Sequence, residues 1–306
     1  MEQISKDMFK PIPHADKSAE YLARPQVTFL SDAWRRFKQN KLAMVALVVL
    51  VVIFVMCIIG PYLNNHEFSA MESVKKNTKP GSEFWFGSDN LGRDIFTRLW
   101  VAGRSSLIIG IVGALVTTII GSLYGGISAY FGGRIDTIMM RIVEILISIP
   151  YLLIVILVSL FMQERSIVSM IIAMTITGWT GMARMVRGQL LALKNQEFVL
   201  AAQTLGVSPL KIITKHMIPN TLNIILVSIS FDVPGFIFGE AFLSYLGIGL
   251  TPPDTSWGIM ASSAQQNFMF YPYQLFFPSL MIALTMLSFT LLGDGLRDAF
   301  DPKMRS

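Results

Sequence analysis

LAMVALVVLVVIFVMCIIGPYL, residues 42–63, runs for 22 positions without a charge. A hydrocarbon core of ~30 Å takes about 20 apolar residues wound as a helix, so this stretch has the length of one crossing. It is longer and flatter than the apolar region of a cleavable signal peptide, and none is expected ahead of it, where residues 1–41 are polar. The same signature recurs at residues 105–131, at 142–162 with Glu144 near its start, and at 166–183, extended past Arg184. It appears again at 220–246, which carries Asp232 and Glu240, and at 276–293. Six such runs predict an all-α integral membrane protein with six transmembrane helices.

The bulk composition agrees. Of 306 residues, 53% are hydrophobic and 15% charged, against roughly 25% charged in soluble domains, and mean hydropathy is +0.55. That composition excludes a soluble enzyme, a disordered chain and a disulfide scaffold, and the single cysteine, Cys57, leaves no intrachain disulfide. The net charge of +5 does not call for nucleic acid, because the basic residues flank apolar runs and serve orientation. Six crossings put both termini on one side. If that side is cytoplasmic it holds eighteen of the 25 lysines and arginines, leaving seven outside. The bias predicts N-in, C-in.

The expected organisation is a cytoplasmic segment 1–41, a first span 42–63, an extracellular loop 64–104, a five-helix core 105–293 and a cytoplasmic tail 294–306. Residues 29–41, FLSDAWRRFKQNK, place Leu30, Ala33, Trp34 and Phe37 on one helical stripe and Arg35, Arg36 and Lys38 on the other, as an interfacial helix does. A second interfacial helix is expected in the outer loop, where Ile95, Phe96, Leu99 and Trp100 oppose Asp94, Thr97 and Arg98. Gly121 and Gly125 form a small-xxx-small pair, suited to close helix contact within the bundle or with a second subunit.

Several chemistries have no residues to carry them. No lysine follows a glycine, so there is no GxxxxGK[ST] phosphate loop. HExxH and GxSxG are missing, and His14, His66 and His216 fit no metal spacing. Intramembrane charges are few for an ion-coupled carrier. Energy for active transport would enter from outside the chain.

Residues 191–220, LALKNQEFVLAAQTLGVSPLKIITKHMIPN, are too polar for membrane and too patterned for a linker. Phe198, Ala201, Ala202 and Leu205 follow a helical period, and Gly206 stands where a left-handed stop is favoured. Ser208 is placed as an N-cap and Pro209 as the first residue of a second short helix through Lys215, ended by Pro219. The result is a helix–turn–helix knuckle.

This segment resembles the "EAA" loop of permease subunits of ABC importers: EAA, three residues, Gly, nine residues, then I-x-L-P. Ala201, Ala202, Gly206, Ile218 and Pro219 match, while Leu200 replaces the Glu and His216 the first Ile. WFGSDNLGRDIFTRLWVAGRSSL (85–107), EAFLSYLGIGLTPPDTSWGIM (240–260) and GDGLRDAFDPKMR (293–305) resemble the C-type permease of dipeptide and oligopeptide importers, a similarity running from about residue 30 to the end. The resemblance implies a type I ABC importer transmembrane domain that is not itself an enzyme. It implies as partners a homologous second permease, two cytoplasmic ATPases holding ATP and Mg, an extracellular or periplasmic substrate-binding protein, and membrane lipid. No cofactor is expected on this chain.

By that resemblance the loop 191–219 couples to an ATPase through Leu200, Ala201, Ala202, Gly206 and Pro219; Lys211 and Lys215 are either its polar partners or positive-inside anchors. Asp232, near the bilayer midplane, is a translocation-path candidate for attracting a cationic group such as a peptide N-terminus, or else bonds a neighbouring helix. Glu240 is a second path candidate, paired with Arg93, Arg98 or Arg104 in a gate, or a structural cap. Pro252, Asp254 and Trp257, in an outward loop 250–267, are receptor-facing candidates, or else the loop is a lid over the cavity. Oligopeptides are the expected cargo. Dipeptides, nickel or another small solute on the same architecture remain open, as does a stand-alone channel or ion-coupled carrier.

Overall fold

The computed structural model describes residues 29–162 and 165–300, so the expectations for residues 1–28, the Leu30 side chain and the end of the tail, 301–306, lie outside the described residues. Helix α1 (Phe29–Gln39) turns its Ala33 and Phe37 inward. Trp34 stays half exposed, stacked on Phe37 at 5.7 Å with Lys38 Nζ 5.2 Å above its ring. That arrangement of Trp and Lys suits an interface. Asn40 then caps α2 (Lys41–Ile59), its Oδ1 accepting from the Ala43 N–H at 3.1 Å.

Only one stripe of α2 is buried: Ala43, Ala46, Leu50, Ile53 and Cys57, spaced three and four apart. Val48, Val51, Val52, Val55 and Ile58 face outward. A helix apolar on both its packed and its exposed side is made for lipid.

Helix α3 (Ile95–Phe131) has 37 residues and, at ~1.5 Å per residue, outreaches the hydrocarbon core. The expected outer interfacial helix is therefore its first turns. Asp94 caps it, accepting from Thr97 N–H at 2.7 Å, and Ile95, Phe96, Leu99 and Trp100 are buried rather than floating on the headgroups. The small-xxx-small pair packs internally. A Cβ on Gly121 would stand 2.7 Å from Met182 Cβ, and one on Gly125 would run into the Ala183 carbonyl, both on α6 (Ile167–Leu193).

The expected span 142–162 is broken. α4 (Gly133–Ser148) and α5 (Tyr151–Phe161) meet at an 84° bend. Pro150 lacks an N–H and drives the residue before it out of helix geometry, and Ile149 is extended at φ −85°, ψ 129°. Among the described residues five helices are long and apolar enough to cross a membrane, six if this bent pair is one span.

After α6 come α7 (Glu197–Thr204) and α8 (Pro209–Lys211). The chain does not stop at Pro219. It winds through a π-helical run at Ile212–Met217 and a 3₁₀ turn at Ile218–Thr221 into α9 (Leu222–Tyr245), because the ladder rearranges around the missing donor: Ile218 N–H reaches Ile213 O and Leu222 N–H reaches Pro219 O. Helix α10 (Trp257–Gln265) occupies what was expected as a loop, and α11 (Pro272–Phe300) runs past both ends of the sixth expected span.

Gly60 at the end of α2 lies under Trp100 near the start of α3, while Ala43 and Phe37 press on Gly295 near the end of α11. Gly126, near the end of α3, faces Ile213 of the knuckle. Both described chain ends and the knuckle thus share one end of the bundle. At the other end the loop before α3 sits on α11: the Tyr273 hydroxyl donates to Thr78 O and Gln274 Nε2 to Ser88 O, each at 2.9 Å. On this loop Lys75 donates to Glu72 and Glu83, which holds the Glu72 carboxyl below its ordinary range and lifts the lysine to about 12.

Candidate functional site

The knuckle is built on its own apolar core. Val199 and Ala202 of α7 pack with Leu190, Ile212, Ile213 and Met217, all buried. Gly206, at φ +73°, closes α7 with paired bonds: Gly206 N–H to Gln203 O at 3.0 Å and Val207 N–H to Ala202 O at 3.1 Å. No atom lies within 4 Å of where a Cβ on Gly206 would stand, so the backbone angle alone asks for glycine. Ser208 holds the position expected of a cap, yet its hydroxyl makes no capping bond. Its carbonyl accepts from Ile212 N–H, and Pro209 opens the next turn.

The paired alanines separate. Ala202 is buried in the knuckle core and only Ala201 faces outward, beside the exposed Leu200. Leu205 and Leu210 are 82% and 59% exposed at the tip. Lys211, Lys215 and Pro219 are exposed as well, and neither lysine pairs with an acid among the described residues. The knuckle is thus an elbow with its own apolar core, an apolar tip and a basic flank.

Asp232 is half buried on an open cleft of about 200 Å³, lined by Tyr151 of α5, Met174 and Gly178 of α6, and Gly235 and Phe236 of α9. No hydrogen bond ties its carboxylate to another described residue, whereas the Tyr151 hydroxyl donates to Met174 O at 3.4 Å. The α-helix continues through Pro234.

Glu240 sits elsewhere. It is fully buried and accepts from Ser244 at 2.7 Å, Ser256 at 2.6 Å and Ser106 at 3.4 Å. Ser106 also accepts from the Trp257 N–H, so this acid joins α3, α9 and α10. The arginines expected opposite it are engaged differently. Arg93 binds Asp89, Arg98 donates to Phe68 O and Thr255 Oγ1, and Arg104 donates to the Cys57 and Ile58 carbonyls.

Of the outward candidates, Pro252 is exposed and Asp254 half buried. Trp257 is wholly buried, its Nε1–H donating to Leu99 O at 2.9 Å. Its neighbours in sequence suggested a loop, but the Ser256 hydroxyl accepts from Ile259 N–H and starts a helix there. Glu144 and Arg141 form an exposed i, i+3 pair on α4.

Sequence reasoning passed over one polar junction. Arg187 of α6 donates through Nε and Nη2 to the two oxygens of Asp136 on α4, and Ser128 of α3 donates to the same carboxylate. The partners lie 51 residues apart, and nothing local marks them. Among the described residues no cluster of three or more His, Cys, Asp or Glu could hold a metal.

Residues 118–306 match the family described as binding-protein-dependent transport system inner membrane component, and residues 28–80 the N-terminal transmembrane domain of oligopeptide transport permease C. The dipeptide transport system permease protein DppC of Bacillus subtilis is 46% identical over 304 residues, 99% of this chain and 95% of the relative. The oligopeptide transport system permease protein OppC of the same organism is 47% identical over 305 residues, covering both chains in full. OppC of Escherichia coli K12 is 41% identical over 276 residues, 90% of this chain and 91% of the relative. With a family match over more than half its length and relatives aligned nearly end to end, the chain belongs to the inner-membrane permease components of binding-protein-dependent transport systems.

Proposed function

We propose that this chain forms half of the membrane pathway of an ABC importer for peptides, oligopeptides first, and that it takes its power through the knuckle. The observation that carries the reading is the knuckle itself, held rigid by its own core while presenting Leu205 and Leu210 to solvent. Large exposed apolar side chains on a structured tip mark a contact surface. The matched relatives bear the names of dipeptide and oligopeptide permeases, which supports a peptide cargo.

The partners are a homologous second permease completing the pathway, two cytoplasmic ATPases that bind ATP and Mg, an external substrate-binding protein, and lipid around α2. The knuckle, the chain ends and the tail face the cytoplasm. ATP binding closes the ATPase pair, the docked knuckle moves with it, and α6 and α9, which flank it, tilt. The cleft around Asp232 then opens to the outside, and hydrolysis returns it. Leu200, Ala201, Leu205 and Leu210 make the apolar contact, and Lys211 and Lys215 the polar one. Asp232 attracts the charged amino end of the cargo, while Pro252 and Asp254 meet the substrate-binding protein.

The test is purification of the tagged chain in mild detergent, followed by uptake in liposomes. Two ATPases and a second permease should copurify, and uptake should need ATP inside the compartment that holds the knuckle. Transport by the isolated chain without nucleotide would replace this reading with a channel or ion-coupled carrier.

A further inference from the structure

Helix α4 has almost no packing of its own. Val143 is its one buried side chain, while Ile135, Ile138, Ile142 and Ile145 are exposed. Its place beside α6 is therefore set by polar ties, of which the Arg187–Asp136 fork is the strongest. A guanidinium engaging both carboxylate oxygens fixes orientation as well as distance. The pair is also sheltered, at 30% and 16% exposure, against 71% and 59% for the Arg141–Glu144 pair on the same helix. Sheltered pairs are screened less by salt.

The two ends of this tie are placed for mechanics. Arg187 lies near the end of α6, where the chain enters the knuckle, and Asp136 in the first turn of α4. From Asp136 the chain runs along α4 to the bend at Ile149–Pro150, and Tyr151, the first residue of α5, lines the cleft opposite Asp232.

We infer that Arg187 and Asp136 are positioning residues that make α4, and through the Pro150 bend the Tyr151 wall of the cleft, follow the knuckle. The inference rests on the coupling reading above and adds which residues carry motion from the elbow to the cleft. Without the fork, α6 would move and α4 would lag.

The experiment uses the assembled transporter in liposomes, with the buried Cys57 replaced by Ser before labelling. Spin labels go on Thr137 and Gln189, flanking the fork, and on Leu153 of α5 and Phe238 of α9, on two of the helices that line the cleft. In the wild type, trapping ATP with vanadate should leave the first distance fixed and change the second. In Arg187→Gln, the change across the cleft should shrink. Uptake of a radiolabelled alanine tripeptide, confirmed as a wild-type cargo, should fall at least about fivefold per ATP hydrolysed, the low end of typical coupling factors. Arg187→Lys, which keeps charge but not the fork, should lie between, and exchanging the two residues (Asp136→Arg with Arg187→Asp) should recover part of the loss. Wild-type coupling and an undiminished cleft response in Arg187→Gln would overturn the inference. No ATP-dependent change even in the wild type would instead remove the coupling reading, and this inference with it.

Discussion

Asp232 and Glu240 are both acids of α9, and their surroundings differ. Glu240 is enclosed by three serine hydroxyls that donate to it. Replacing it with alanine strands those donors, at roughly 1–3 kcal/mol for each buried group left unpaired. Glu240→Ala should lower the unfolding midpoint of the detergent-solubilised complex sharply, and Glu240→Gln should lower it less, since one oxygen acceptor remains. An unchanged midpoint would return Glu240 to the list of path residues. Asp232 is the reverse case. An acid at the membrane midplane costs ~2.5–3.5 kcal/mol on insertion scales; Asp232 faces a cleft, with no hydrogen bond to another described residue. Asp232→Asn should raise KM for peptides with a free amino terminus about tenfold, because a hydrogen bond to a charged group is worth about 1.5–3 kcal/mol. N-acetylated peptides should be unaffected. Equal effects on both would leave the acid a purely structural role.

At the scale of the element, Gly206 is the sharpest point of the knuckle. Proline is locked near φ −65° and cannot take φ +73°. Gly206→Pro must rebuild the turn, and with ~1–3 kcal/mol of strain or lost coupling, uptake should drop roughly five- to 150-fold while assembly, checked by gel filtration, persists. Transport at the wild-type rate would take the knuckle out of the mechanism. The knuckle was legible beforehand because each of its signals is local: an alanine pair, a glycine stop, Ser-Pro at a helix start. The first span was legible for the same reason. The break at Pro150 was not, since ISIPYLLIV reads as one apolar run and the proline's effect depends on whether neighbours re-satisfy the backbone. Helix α10 was hidden by its polar SSAQ, and its Trp257 is buried with its Nε1–H on the carbonyl of Leu99, far off in sequence. The split of Ala201 from Ala202 needed to be seen against Ile212 and Leu190.

The whole molecule is a two-ended device. One end carries the knuckle, α1 and the end of α11. The other carries the loop of residues 64–94 seated on the start of α11. Between them, glycines on α3 let α6 and α9 approach closely, with Gly110 against Ile237 and Gly121 against Met182, which is the packed connection the proposed coupling requires. That arrangement has meaning only if the knuckle is seated on something that moves. The most direct measurement is site-specific cross-linking from a photoreactive residue at position 205 in the membrane-embedded complex, without nucleotide and with ATP trapped by vanadate. The account predicts adducts with an ATPase subunit in both states. Position 205 free of any nucleotide-hydrolysing neighbour throughout the cycle would contradict it.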